Sequence, residues 1–227
     1  MLSVSVIGDS IFKGVIYNEE RGRYQIAKRN LQKLLEEDIS INITNYSKFG
    51  LTISKAKDIY EDMVNEIDDR FIIFEVGNND ADFNWEKISD SPGAIHLPNT
   101  PIREFRLILD YLVNDTMVKG KIPILVTPPP IDAEKYFKWL VSKGLNGDNI
   151  LEWLGSIKRI YQFHECYSLE VIDCARKNEV LLLNIRQALL EKINISDYYC
   201  VDGIHLNEAG HQIMASVIKE NITKLEV

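Results

Sequence analysis

Leu2-Ser-Val-Ser-Val-Ile-Gly8-Asp9-Ser10-Ile11 is the stretch on which the reading of the whole chain turns. Its valines and isoleucine mark a short strand, and glycine, aspartate and serine stop that strand in the composition of a tight turn. Outward from it the same unit recurs. Short apolar, β-branched runs at 39–45, 71–76, 122–127 and 180–184 are spaced by longer stretches with apolar residues three and four apart, over 24–37, 54–67, 101–113 and 155–177. A last helical stretch covers 208–225. Strands alternating with helices predict a parallel sheet covered by helices. The expectation is one α/β domain over 1–227, a three-layer α/β/α sandwich with a five-stranded parallel sheet.

Two stretches are too long for simple connections. Residues 81–100 hold Trp85, His96 and two prolines, and residues 128–149 hold Trp139 and two glycines. Each follows an expected strand, and loops beyond the carboxyl ends of parallel strands form the ligand crevice. Both insertions are therefore expected to wall a site.

Composition narrows the partners. The 227 residues carry 26 Lys+Arg against 34 Asp+Glu, a net charge of −8, with 45% hydrophobic residues. The length supports a substantial core without disulfides or metals, and the acidic balance disfavours nucleic acid and anionic membranes. No apolar run approaches the roughly 18 residues of a membrane span. The amino terminus reads as a strand, not a signal peptide. Cys166, Cys174 and Cys200 cannot all pair and form no C-x-x-C, which predicts a reducing, cytoplasmic location. Cys166 and Cys174 are expected in the core and Cys200 partly exposed.

Four elements can carry chemistry. Ser10 on a strand-to-helix turn presents a hydroxyl near free backbone N–H groups. Asp202-Gly-Ile-His205 places a carboxylate where it can fix an imidazole tautomer. Gly77-Asn78-Asn79-Asp80 follows the strand at 71–76 and offers an amide donor for an oxyanion. Gly50 follows the second strand. Each alone is ordinary turn or cap chemistry, but all four fall at carboxyl strand ends, where one crevice holds them.

In that order and context the blocks resemble the SGNH, or GDSL-type, hydrolase superfamily, and the resemblance covers nearly the whole chain. It implies a flavodoxin-like α/β/α fold and a serine esterase. Ser10 matches the nucleophile, Asp202 the orienting acid and His205 the general base. The implied oxyanion hole comprises the N–H groups of Ser10 and Gly50 and the side chain of Asn79, with no cofactor and no metal. Phe12 stands where many members have threonine, which bears on the pocket floor. Asp9 and Asp80 are expected to hold the loops.

Other chemistries lack their motifs: the chain has no G-x-S-x-G, no phosphate loop and no H-E-x-x-H. His164-Glu-Cys166 reads as a helix with an exposed histidine, His96 as a solvated loop residue, and His211 as packed or solvated without a catalytic role. The expected partner is a small-molecule ester with a short acyl group, including acetyl groups on carbohydrate, with Trp85 and Trp139 offering a stacking wall. A thioesterase or lysophospholipase using the same residues, and a non-hydrolytic binding module of the same fold, are the competing readings.

Overall fold

The structure, a computed structural model, describes residues 2–38 and 41–226. Strand β1 (Leu2–Gly8) leads not into a helix but into a hairpin, β2 (Val15–Asn18) and β3 (Arg23–Ile26), paired antiparallel with Tyr17 opposite Tyr24. The helix expected over 24–37 is thus corrected: α1 spans Leu31–Asp38, after Asn30, whose side chain accepts the Lys33 N–H. Tyr24, Ala27, Leu31 and Leu35 mimic a helical period. A tertiary contact overrides it, because Tyr17 and Tyr24 pack their rings on Trp139, 4.6 and 6.4 Å between centroids, from far along the chain.

The remaining elements follow the expected alternation. In order they are β4 (Ile41–Asn45), α2 (Ile53–Met63), β5 (Phe71–Glu75), α3 (Trp85–Asp90), α4 (Ile102–Val118), β6 (Ile122–Val126), α5 (Ala133–Ser142) and α6 (Gly147–Leu154). Then come α7 (Lys158–Lys177), β7 (Leu181–Leu183), α8 (Ile185–Leu190) and α9 (Glu208–Ile222). Residues 39 and 40 of the expected second strand lie outside the described residues. The last helix stops at Ile222 and continues as a 3-10 turn, Thr223–Glu226.

The five main strands form one parallel sheet in the order β4-β1-β5-β6-β7, the doubly wound order of a flavodoxin-like sandwich. Alternate residues of each strand serve opposite faces. Val4, Val6, Ile73 and Ile124 pack against Leu35 of α1, Leu189 of α8 and Met214 of α9. Ile7, Ile72, Phe74 and Leu125 pack against Tyr60 of α2, Leu109 of α4 and Val171 of α7. All five residues of β5 are buried, including Glu75. No described helix is long and apolar enough to cross a membrane.

The two insertions pack on each other above the carboxyl end of the sheet. Phe83, Trp85 and Ile88 meet Tyr136, Leu140, Ile150 and Leu154 in a third apolar cluster. Polar ties hold this cap to itself: the Asn146 N–H donates to Ser89 Oγ at 2.7 Å and Asn149 Nδ2 to the Ser89 carbonyl at 2.6 Å.

Candidate active site

Beyond β1 the chain turns sharply. Asp9 Oδ1 accepts the Ile11 N–H at 2.7 Å, and backbone bonds from Lys13 to Asp9 and from Val15 to Ser10 close the turn. This leaves the Ser10 N–H with no intramolecular hydrogen bond among the described residues. Ser10 Oγ donates to His205 Nε2 at 2.9 Å, and His205 Nδ1 donates to Asp202 Oδ2 at 2.6 Å. The second oxygen of Asp202 accepts the N–H groups of Ile204 and His205, both at 3.1 Å. Burial pushes the Asp202 carboxyl up, but the His205 ring and these two N–H groups outweigh it and hold it below the usual carboxylate range. The structure thus brings Ser10, His205 and Asp202 into one hydrogen-bonded chain from opposite ends of the sequence.

Gly203 makes the loop between them possible. Its φ is +72°, and a Cβ there would lie 2.6 Å from the Asp132 carbonyl oxygen and the Tyr136 nitrogen. The Gly203 carbonyl accepts the Asp132 N–H at 2.9 Å, which seats the loop on the start of α5.

At the end of β5 a polar network supports the Ser10 turn. Glu75 Oε2 accepts the Asp9 N–H at 3.0 Å. Asn78 Nδ2 donates both to Asp9 Oδ2, at 3.1 Å, and to Glu75 Oε1, at 2.9 Å. Asn79 Nδ2 donates once, to Asp9 Oδ2 at 3.1 Å, so its second N–H is free among the described residues. Burial raises the carboxyls of Asp9 and Glu75, and their mutual repulsion raises Glu75 further. Asp80 accepts the N–H groups of Ile53 and Gly77 and the Thr100 hydroxyl. Burial nevertheless pushes Asp80 up to about 6.

Gly50, at φ +62°, stands on the same end of the sheet, and its N–H has no intramolecular partner among the described residues. The segment before it is tied to β1 through Tyr46 to Val6 and Lys48 to Gly8. Gly50 does not line the cavity at Ser10. That cavity, about 50 Å³, is walled by Ser10, His205, Asn78, Asn79 and Asp9 and by Ile11, Pro129, Pro130, Ile131 and Ile204. Two further polar residues complete it, Asp82 and His164.

His164 corrects the expectation of an exposed histidine. It is only 6% exposed, on the face of α7 that turns to the cavity, and its Nδ1 has no partner among the described residues. Burial, then the charge of Arg186, pull it down to about 3. Asp82 does not stand out in the sequence, because it reaches the site only through the packing of its insertion, and the sequence does not mark which face of α7 carries His164.

Several other expectations change. Cys166 is exposed and Cys200 buried, the reverse of what the helical spacing and the loop position suggest. Cys200 Sγ accepts the Tyr17 N–H, and burial pushes its thiol up to about 11. Phe12 lies in the core under β1, not in the cavity floor. Trp85 is buried and donates to Asp82, so it offers no free ring face, and Trp139 is covered by the two hairpin tyrosines and by Lys143, 3.9 Å above its ring. His96 bonds the Ser91 carbonyl and packs on Trp153, away from Ser10. His211, expected to pack or to face water, is packed, fully buried in α9. Among the described residues no group of three His, Cys, Asp or Glu side chains is placed to hold a metal.

A doubly wound parallel sheet carrying a hydrogen-bonded serine, histidine and aspartate at its carboxyl edge is the architecture of a serine ester hydrolase. The family model described as GDSL-like lipase/acylhydrolase matches residues 4–218, and the chain belongs to that family. Solved structures share the fold at low identity. A lipase/acylhydrolase from Enterococcus faecalis superposes with a TM-score of 0.71 at 16% identity, covering 99% of this chain and 97% of the other. The psychrotrophic esterase EstA from Pseudoalteromonas sp. gives 0.62 at 15% identity, covering 100% and 99%. A member of the lipolytic G-D-S-L family from Veillonella parvula gives 0.68 at 16%, covering 99% and 100%. No curated protein gives a significant sequence match.

Proposed function

We propose that this hydrolase cleaves short acyl esters through an acyl-enzyme on Ser10. His205 Nε2 takes the hydroxyl proton as Ser10 Oγ bonds to the carbonyl carbon, and Asp202 stabilises the imidazolium so formed. The proton then passes to the departing alkoxide, and a water repeats the sequence to release the acid. The Ser10 N–H and the free N–H of Asn79, both from residues that wall the cavity, receive the oxyanion.

The observation that carries the short-acyl reading is the cavity of about 50 Å³ at Ser10, far below the roughly 300–1,000 Å³ of sites that enclose larger ligands. A longer apolar groove of about 710 Å³, lined by Phe83, Leu97, Trp153 and Phe163, lies behind the same segments but shares no lining residue with the Ser10 cavity. It is the observation that favours the long-chain thioesterase or lysophospholipase reading. An acyl chain would have to displace the Asp82 and His164 wall to enter it.

A series of p-nitrophenyl esters decides between them. Each methylene buried in a true acyl groove contributes about 0.8 kcal/mol, so a long groove makes kcat/KM climb with chain length. The short-acyl reading predicts a maximum at about two to four carbons, followed by decline. A continuous rise through about eight carbons would favour the groove instead. In parallel, Ser10→Ala is expected to abolish turnover and phosphonate labelling; an adduct on any other residue contradicts the mechanism.

A further inference from the structure

We infer that Asp82 and His164 form a subsite for a hydroxyl group on the substrate, so that this enzyme prefers hydroxylated short esters over their deoxy counterparts. The inference rests on the esterase reading above and extends it to substrate class.

The polar residues of the cavity divide in two. Ser10, His205, Asp9, Asn78 and Asn79 are engaged with one another. Asp82 and His164 belong to neither the serine–histidine–aspartate chain nor the oxyanion side, yet both wall the same small cavity. Asp82 comes from one insertion and is held from two directions. Trp85 Nε1 donates to its Oδ1 at 2.7 Å, and the Tyr136 hydroxyl, from the other insertion, reaches both oxygens at 3.0 and 2.9 Å. With the Phe83 backbone N–H these donors fix the carboxyl and leave one acceptor site unused, since a carboxylate accepts about four hydrogen bonds.

His164 supplies the complementary group. With Nδ1 sealed and unpartnered, placing the ring proton on Nε2 buries only a lone pair, a less costly orphan than a buried N–H. Nε2–H then serves the cavity as a donor. The ring is kept neutral by burial and by the nearby Arg186, itself held by Glu165 and by Tyr161 at 2.6 Å.

An acceptor and a donor in the walls of one small cavity select the guest. An alkyl group would leave both unpaired and out of water, a penalty for each group. A carboxylate is repelled by Asp82, and an ammonium cannot accept from His164. A hydroxyl satisfies both, donating to Asp82 and accepting from Nε2–H. Sites that bind a substrate hydroxyl in this way discriminate strongly against analogues lacking it.

The test uses matched isosteres on the purified protein. Ethyl glycolate against ethyl propionate places the hydroxyl on the acyl side, and 2-hydroxyethyl acetate against propyl acetate places it on the alcohol side. Each kcat/KM is normalised to the hydroxide-catalysed rate of that ester. The expected result is a preference of about 100-fold or more for the hydroxyl member of one pair, which also identifies the side. That ratio should fall at least about tenfold in His164→Phe and in Asp82→Asn. Turnover of both pairs with ratios near one, or ratios unmoved in both variants, overturns the subsite while leaving the esterase reading standing. If neither variant folds, the wild-type ratios alone decide. No turnover of any of the four esters, together with no phosphonate adduct on Ser10, overturns the esterase reading and the subsite with it.

Discussion

Asn78 and Asn79 are adjacent and chemically identical, and only their hydrogen bonds tell them apart. Asn78 spends both N–H groups on the buried carboxyls of Asp9 and Glu75, whereas Asn79 keeps one. Asn79→Ala is therefore expected to lower kcat by about 100- to 1,000-fold with little change in KM. Asn78→Ala should cost less activity and more stability, about 1–3 kcal/mol, because it leaves two buried carboxyls short of a donor. Equal losses of kcat, with unchanged denaturant midpoints, would contradict the division. At this scale the sequence was informative where a residue sits at a strand end: Ser10, Asn79, Asp202 and His205 are all adjacent to turns that composition marks. It was silent on Asp82 and wrong about His164, which it read as exposed. Asp82 is placed by the way its insertion packs on Tyr136 of the other, and His164 by the face that α7 turns to the cavity, which a histidine in a helix does not mark.

The elements that hold the site differ in how much substitution they tolerate. Gly50 has left-handed backbone with open space around it, so Gly50→Ala should cost only the conformational penalty, about 1–2 kcal/mol. Gly203 has the same backbone sign and is also pressed on the backbone at the start of α5. Gly203→Ala must push the Asp202–His205 loop off that helix, and kcat is expected to fall at least about tenfold, since small misplacements of a base are costly. Wild-type kcat in this variant would show that the loop position is not set by α5. The strands themselves were readable because a parallel sheet needs β-branched runs of a characteristic length. The β2–β3 hairpin was not, since what fixes Tyr17 and Tyr24 is Trp139, more than a hundred residues away.

Across the whole molecule, four carboxyls, Asp9, Glu75, Asp80 and Asp82, gather at the carboxyl end of the sheet, and burial raises all four. For Asp80 the native group titrates at about 6 against an ordinary 3.8, so the folded protein keeps a proton that the unfolded chain has already lost. Its contribution is fully present below pH 4 and is lost as pH rises through 6, an effect of about 3 kcal/mol. Asp9 and Glu75 act in the same direction. Asp202 and Asp115, shifted down, weaken the fold only in stronger acid. His164 and His211, held down to about 3 and 4 by burial, pull the other way below the ordinary histidine range. The urea midpoint of the wild type relative to Asp80→Asn, a comparison in which the histidines cancel, is therefore expected to be higher at pH 5 than at pH 8; a relative midpoint that rises with pH over that interval would mean that Asp80 is ionised at little cost. The cap has a consequence of another kind. All three tryptophans, Trp85, Trp139 and Trp153, belong to its apolar cluster, and none lies in either core of the sandwich. Tryptophan fluorescence, excited selectively over tyrosine, therefore watches the cap alone, while far-ultraviolet circular dichroism follows mainly the sandwich helices and sheet. Unfolding curves from the two signals should superimpose if the cap melts with the sheet beneath it, and an emission change at lower urea would reveal a cap that comes apart first, leaving an intact but dark sandwich.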